Sequence, residues 1–195
     1  MRCTEWRPRH AVWRFGSHGG AAIGELIVRP TTRTDMTATM TASKTISLYN
    51  QSLDYLQGDG VAKDEQRAFA LNAEAAQSGY ADAVLAMGWF YLNGVGVVRD
   101  VGRARRWYRD SARRGDTRAM FSLGQIAYDE RDYSDALVWF RRASDAGHHR
   151  SLYFVGRHYW RGHGVEQDKK EAMRYFHRAA SHKVREAQRV LRFLS

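Results

Sequence analysis

One cysteine, Cys3, is all that the 195 residues contain. That count excludes an intrachain disulfide and a thiolate metal site, and it fits a reducing compartment best. Long apolar runs are missing too. No window of 18 apolar residues occurs, so nothing reads as a membrane span. The opening MRCTEWRPRHAVWRFG is broken too often by Arg, Glu and His to form the apolar core of a secretory signal. A soluble, cytoplasmic protein is expected.

Acidic residues are outnumbered, 21 Asp and Glu against 31 Lys and Arg, which leaves a formal charge of +10. Such a field permits an acidic protein, nucleic acid or an anionic membrane surface as partner, and by itself selects none of them. The hydrophobic content of 44% and aromatic content of 12% are those of a folded chain. Prolines are only two, Pro8 and Pro30, and the stretch that follows them, TTRTDMTATMTASK from Thr31 to Lys44, is rich in Thr and poor in large apolar residues. It is expected to be flexible. Residues 1–44 carry seven Lys or Arg against three acidic residues, a bias shared by mitochondrial transit peptides, which would make the location organellar. A mis-assigned start, with Met36 or Met40 as the true first residue, is the alternative. We expect residues 1–44 to be an extension without structural role and 45–195 to be the folded domain.

Within that domain the text repeats. YLQGDGVAKD runs from Tyr55 to Asp64, YLNGVGVVRD from Tyr91 to Asp100 and YWRGHGVEQD from Tyr159 to Asp168, with a shortened YDERD at Tyr128 to Asp132. Four units then align, at about 45–80, 81–116, 117–148 and 149–184, followed by a terminal helix at 185–195. Asp64, Asp100, Asp132 and Asp168 share one column; Ala68, Ala104, Ala136 and Ala172 share another; Leu71, Trp107, Trp139 and Tyr175 a third. Gly79, Gly115 and Gly147 close three units, and Lys183 closes the fourth.

Each unit has the chemistry of a helical hairpin. The Asp column supplies a side-chain oxygen for the free N–H groups of a first turn, and the closing Gly supplies the left-handed conformation of a C-cap. Ala104, Tyr108, Ser111 and Ala112 recur at i, i+4, i+7 and i+8, one face of a helix. A first helix is marked by the columns Ala83, Ala119, Ser151 and Ala187, then Met87, Leu123, Val155 and Leu191, followed by Gly88, Gly124 and Gly156. One hairpin cannot bury its apolar face alone, so the units must stack. The expected fold is all-α, a right-handed alpha-alpha superhelix of four helical hairpins plus a C-terminal capping helix.

Residues Ala81 to Asp116, ADAVLAMGWFYLNGVGVVRDVGRARRWYRDSARRGD, resemble the Sel-one-like repeat, a relative of the tetratricopeptide repeat. The shared pattern is Ala, Leu or Met before Gly, Tyr, G-x-G-V, Asp, Ala, Trp-Tyr, an Ala pair and a closing Gly. The resemblance covers about residues 45–195. The third unit departs from it by losing four loop residues, and the first by having Ser52 and Asn72 where Gly88 and Tyr108 stand in the second. The resemblance implies a curved adaptor or scaffold that binds other proteins. Some cysteine-rich members are linked to β-lactam binding or hydrolysis, but the paired cysteines of that type are absent here, which leaves a hydrolase as the remote alternative.

The glycine loops invite comparison with a phosphate cradle. They hold Gly58, Gly60 and Asp64; Gly94, Gly96 and Asp100; and Gly162, Gly164 and Asp168. A cradle converges backbone N–H groups on an anion and commonly adds a Lys, whereas here a Val and then an Asp follow, the Asp taking the anion's own place. These are read as structural positions, and no cofactor is expected. Six histidines lie late in the chain, His148, His149, His158, His163, His177 and His182; no H-E-x-x-H occurs, and His177 and His182 point apart on a helix. Surface or loop positions are expected for them, with His148, His149 and His182 as the weaker metal-site reading, and no metal is expected.

Arginines are the richer signal. Residues 45–82 hold two basic and six acidic residues, while 83–195 hold 22 basic and 12 acidic. Arg103, Arg106, Arg109, Arg113 and Arg114 lie on the second helix of the second unit, with Arg141, Arg142, Arg174 and Arg178 on equivalent helices. A solvated convex face is preferred over a nucleic-acid site, because Trp107, Trp139, Tyr108 and Phe140 fall in core columns and are not free to stack bases. By analogy with helical-hairpin solenoids, the inner curve is expected to present Trp89, Asn93, Ser122, Gln125, Asp129, Arg157 and Arg161. A protein partner, acidic in character, is expected there, with nucleic acid on the basic C-terminal surface as the alternative.

Overall fold

The computed structural model describes the backbone of residues 33–194 and the side chains of residues 42–194. Among these residues there are nine helices and no strand: α1 (Arg33–Gln57), α2 (Glu65–Gln77), α3 (Ala81–Asn93), α4 (Val101–Arg113), α5 (Thr117–Asp129), α6 (Tyr133–Asp145), α7 (His149–Arg161), α8 (Lys169–Ser181) and α9 (Arg185–Leu194). Each packs on the helix before it and the helix after it, so the chain forms a one-dimensional stack of hairpins.

The Asp column does the capping expected of it. Asp64, Asp100, Asp132 and Asp168 each accept through Oδ1 from the backbone N–H three residues on, at 2.9, 2.8, 3.1 and 2.9 Å. The same aspartates close the ten-residue loops, for the N–H of Asp64, Asp100 and Asp168 donates to the carbonyl of Tyr55, Tyr91 and Tyr159 at 2.9, 2.9 and 3.0 Å. Beyond the second helices, Gly79, Gly115 and Gly147 take positive φ, and so does Lys183 in the fourth unit.

Packing inside each hairpin rests on a glycine set against a ring. A Cβ on Gly88 would lie 2.5 Å from the Tyr108 ring, one on Gly124 2.7 Å from Phe140, and one on Gly156 2.7 Å from Phe176. The missing side chains let α3, α5 and α7 close directly on the aromatics of α4, α6 and α8, which are 3%, 0% and 2% exposed. The first unit solves the same junction with polar groups. Ser52 Oγ donates to the Ala68 carbonyl at 2.8 Å, and Asn72 Nδ2 to that of Ala83 at 3.0 Å.

The second glycine of the loop joins units to each other. Gly96 is so close to the start of α2 that a Cβ would meet the Glu65 carbonyl oxygen at 1.9 Å, and Gly164 approaches the start of α6 so closely that a Cβ would lie 2.5 Å from the Tyr133 carbonyl carbon. Val97 and Val165 follow the glycines into the cores of the units behind them. The third unit has no such loop. Its short turn closes through Arg131 at φ 66 and the Asp132 N–H to the Ala127 carbonyl, 2.9 Å, and Gly102 at the start of α4 has only Asp100 beside it.

One expectation is corrected. The Thr-rich stretch to Lys44 is not flexible from Arg33 onward but forms the first turns of α1. No Pro or Gly interrupts the chain between Pro30 and Gly58, so a helix fixed by the buried Thr45, Tyr49 and Ser52 extends back through residues of middling propensity. Lys44 Nζ lies 3.2 Å from the Glu74 carboxylate of α2. Residues 1–32, with the transit-peptide reading, lie outside the described residues.

Candidate functional site

The seven residues expected on the inner curve occupy equivalent turns of α3, α5 and α7. Trp89, Gln125 and Arg157 share one column, Asn93, Asp129 and Arg161 another, and Ser122 falls between them in register with Ala86 and Phe154. Asp129 and Arg161 are exposed and the other five half-buried. Trp89 packs at the edge of the first core with its ring 5.4 Å from that of Phe90, and its carbonyl accepts from Asn93 Nδ2 at 2.9 Å. Ser122 Oγ is turned to its own helix, donating to the Arg118 carbonyl at 3.0 Å. Burial pushes the Asp129 carboxyl up.

Arg157 and Arg161 are brought together by Tyr128 in the last turn of α5, which the sequence marks only as part of the shortened loop. Both guanidinium groups donate to the Tyr128 hydroxyl, at 3.5 and 3.4 Å, and Arg157 also stands 5.7, 5.8 and 5.6 Å from the ring centres of Tyr128, Tyr153 and Phe154. Beside them, between α7, α8 and α9, lies a groove of about 520 Å³ lined by Tyr153, Trp160, Phe176, Arg189 and Phe193. Phe193 and Arg189 extend the series of first-helix positions into α9. The 36-residue spacing puts Phe193 in the column of Trp89 and Arg157, so it was there to be found.

Many of the other arginines are engaged by acids or rings, and Arg99 and Arg114 by the carbonyls of Leu92 and Gly79. Arg118 bridges Asp82 and Asp116, each at 2.7 Å, tying α5 to α3, and Arg150 meets Glu186 at 2.9 Å, tying α7 to α9. Burial raises Asp116, yet Arg118 and two backbone N–H groups outweigh it and hold the carboxyl below its usual range. On the second helices, Arg103 pairs with Asp100, Arg113 with Asp110 and Arg174 with Glu171. Arg142 and Arg178 lie over Trp139 and Tyr175. Tyr108 and Phe140 are core residues as expected, but Trp107 and Trp139 are only half-buried, because their column sits on the shoulder of the helix one residue before the buried one.

The histidines depart furthest from expectation. His158 is 1% exposed, its Nδ1 is 2.8 Å from the His163 carbonyl, and it fills the column of Phe90 and Ile126. Burial lowers its pKa to about 4. His148 is half-buried against Phe121 with Nδ1 2.8 Å from Ser151 Oγ, and burial lowers it to about 4 as well. The His163 ring, pushed down by burial, stacks on Tyr133 at 4.1 Å. His149 and His182 do come together, rings parallel at 3.6 Å, whereas His148 turns to Ser151. Among the described residues no group of three or more His, Cys, Asp or Glu is arranged to hold a metal ion, and no helix is long and apolar enough to cross a membrane.

The glycine loops bind their own aspartates, whose carboxylates occupy the helix N-terminal N–H groups an anion would need. Their repetition is matched by known proteins. A family model of the Sel1 repeat matches residues 48–80, 81–116, 117–148 and 149–184. The chain is 28% identical over 141 residues to the chitin synthase regulator SKT5 of Saccharomyces cerevisiae, a match that covers 69% of this chain and 20% of that protein. It thus spans about one fifth of that relative. Among solved structures, a Sel1 repeat protein from Oxalobacter formigenes superposes with a TM-score of 0.70 at 27% identity, covering 79% of this chain and 66% of that one. The protective antigen c5321 of uropathogenic Escherichia coli, described as displaying an SLR fold, gives 0.68 at 25% identity over 80% of this chain and 34% of its own. With four repeats matched in register and the same helical stack, the chain belongs to the Sel1 repeat family.

Proposed function

We propose that this chain is a non-catalytic, cytoplasmic adaptor that holds a partner protein on the inner curve of its solenoid, through Trp89, Asn93, Ser122, Gln125, Asp129, Arg157 and Arg161. Sel1 repeats generally mediate protein–protein interaction, and the yeast relative is named a regulator. The observation that carries the reading is the contrast among arginines: Arg105, Arg118 and Arg150 are spent on ion pairs between helices, while Arg157 and Arg161 meet only rings and a tyrosine hydroxyl. Trp and Arg are also the side chains richest in binding energy at interfaces. A rigid stack presents them with little ordering cost on its own side.

Affinity capture from cell extract tests this. The chain carrying both Trp89→Ala and Arg157→Ala should retain its partner about tenfold less well or worse, as loss of two hot-spot residues implies. Undiminished capture would remove the inner curve as the binding face. Nucleic acid is the less favoured ligand, since the second-helix arginines are largely occupied with neighbouring acids and rings.

A further inference from the structure

We infer that the groove between α7, α8 and α9 is a receptor for a short acidic segment of a partner protein, one large apolar side chain flanked by Asp or Glu. The inference rests on the adaptor reading and narrows it to one end of the solenoid and one peptide chemistry. At about 520 Å³ the groove is of a size to take a large side chain and the backbone on either side of it. Its floor is aromatic, with Tyr153 5.8 Å from Phe176 and Trp160 6.3 Å from it, ring centre to ring centre. Phe193 overhangs this floor with 89% of its surface in water, beside Leu194 at 39%. Covering such surface is favourable, and an apolar side chain does it best.

The rim gives the charge. Arg157, Arg161 and Arg189 surround the hollow, no acidic residue lines it, and none of the three has a carboxylate partner among the described residues. Arg157 is also held in place before any ligand arrives, its guanidinium set among Tyr128, Tyr153 and Phe154. Such a group offers a carboxylate two parallel N–H donors without first having to be ordered. A nucleic-acid strand fits less well. Stacking needs open ring faces, but Phe176 is 2% exposed and Lys169 Nζ lies over Trp160 at 5.5 Å.

Fluorescence anisotropy on the full chain decides the matter. The probe is a labelled twelve-residue peptide with a central Phe flanked by Glu and Asp. Its companions are the same peptide with Ser for Phe, the same with Gln and Asn for the acids, and a labelled single-stranded oligonucleotide. Binding of the first should weaken about tenfold when either the Phe or the acids are removed. It should weaken similarly in Arg189→Ala and Phe193→Ala, both exposed positions whose replacement leaves the helical circular dichroism unchanged. The inference is overturned if the first peptide does not bind, if either substitution leaves its affinity intact, or if the oligonucleotide binds more tightly with a steep loss in salt. Cellular partner capture that falls in the Trp89→Ala, Arg157→Ala chain but persists in Arg189→Ala and Phe193→Ala would sink the groove and leave the adaptor standing.

Discussion

Replacing Gly96 by alanine should cost this protein about twice as much as replacing Gly60, although the two glycines hold nearly the same backbone conformation, φ 64 and φ 70. At Gly60 a new Cβ meets nothing within 4 Å, so only the left-handed conformation is penalised, about 1–2 kcal/mol for a residue with a Cβ. At Gly96 the same penalty applies, and the Cβ would also sit 1.9 Å from the Glu65 carbonyl oxygen and 2.5 Å from its carbon. Both are backbone atoms at the start of α2, with no side chain to swing aside. The loop must lift, and Val97 lifts with it out of the first core, about 1–2 kcal/mol for a half-buried valine. We therefore expect a total of about 2–4 kcal/mol for Gly96→Ala. For a chain of this size each kcal/mol moves Tm by about 2–4 °C. Thermal unfolding followed by circular dichroism should thus show a fall of roughly 2–8 °C for Gly60→Ala and about twice that, roughly 4–16 °C, for Gly96→Ala. Equal falls in the two variants would refute the reading of the second glycine as the joint between units.

Stability should also decline in acid through the buried histidines. His158 and His148 both titrate at about 4 in the folded chain, against about 6.5 when unfolded, so the unfolded state binds more protons between those values. Their contribution is therefore complete above pH 6.5 and is lost as pH falls toward 4; in His158→Gln the slope of denaturation midpoint against pH in that window should become shallower, and an unchanged slope would exonerate His158. In the third hairpin, Gly124→Ala should destabilise by about 1–3 kcal/mol through overpacking against Phe140, even though alanine favours helix. Adding Phe140→Leu to Gly124→Ala should recover part of that loss in urea unfolding, and strict additivity of the two changes would show that they do not touch.

Much of this molecule could be read from its columns because a repeat states each structural requirement several times. Four aspartates at one position cap four helices, and three glycines at another admit three rings. What escaped was of two kinds. His158 has the residue type of a surface position but the register of a core one, for Phe90 and Ile126 share its column and are buried. Phe193 stands in the column of Trp89 for the same reason. By contrast, the meeting of Gly96 with Glu65 and the convergence of Arg157 and Arg161 on Tyr128 depend on how one hairpin is turned against the next. That angle is set by packing and leaves no mark at any single position. The backward extension of α1 is similar, since composition alone argues against a helix that its packed half imposes.

The shortened third loop has a mechanical consequence. Backbone rests against backbone where the second unit meets the first and where the fourth meets the third, at Gly96 and Gly164. Where the third meets the second, the described loop residues offer no such brace; that junction rests on the apolar cluster that Leu85, Tyr108, Ala119 and Leu123 help to form, with the pairs Arg105–Glu130 and Arg118–Asp82 at its edges. Pairs of that kind resist little, about 0–1 kcal/mol each. The middle junction is thus held by side chains alone, its apolar cluster above all, while the junctions on either side add backbone contact.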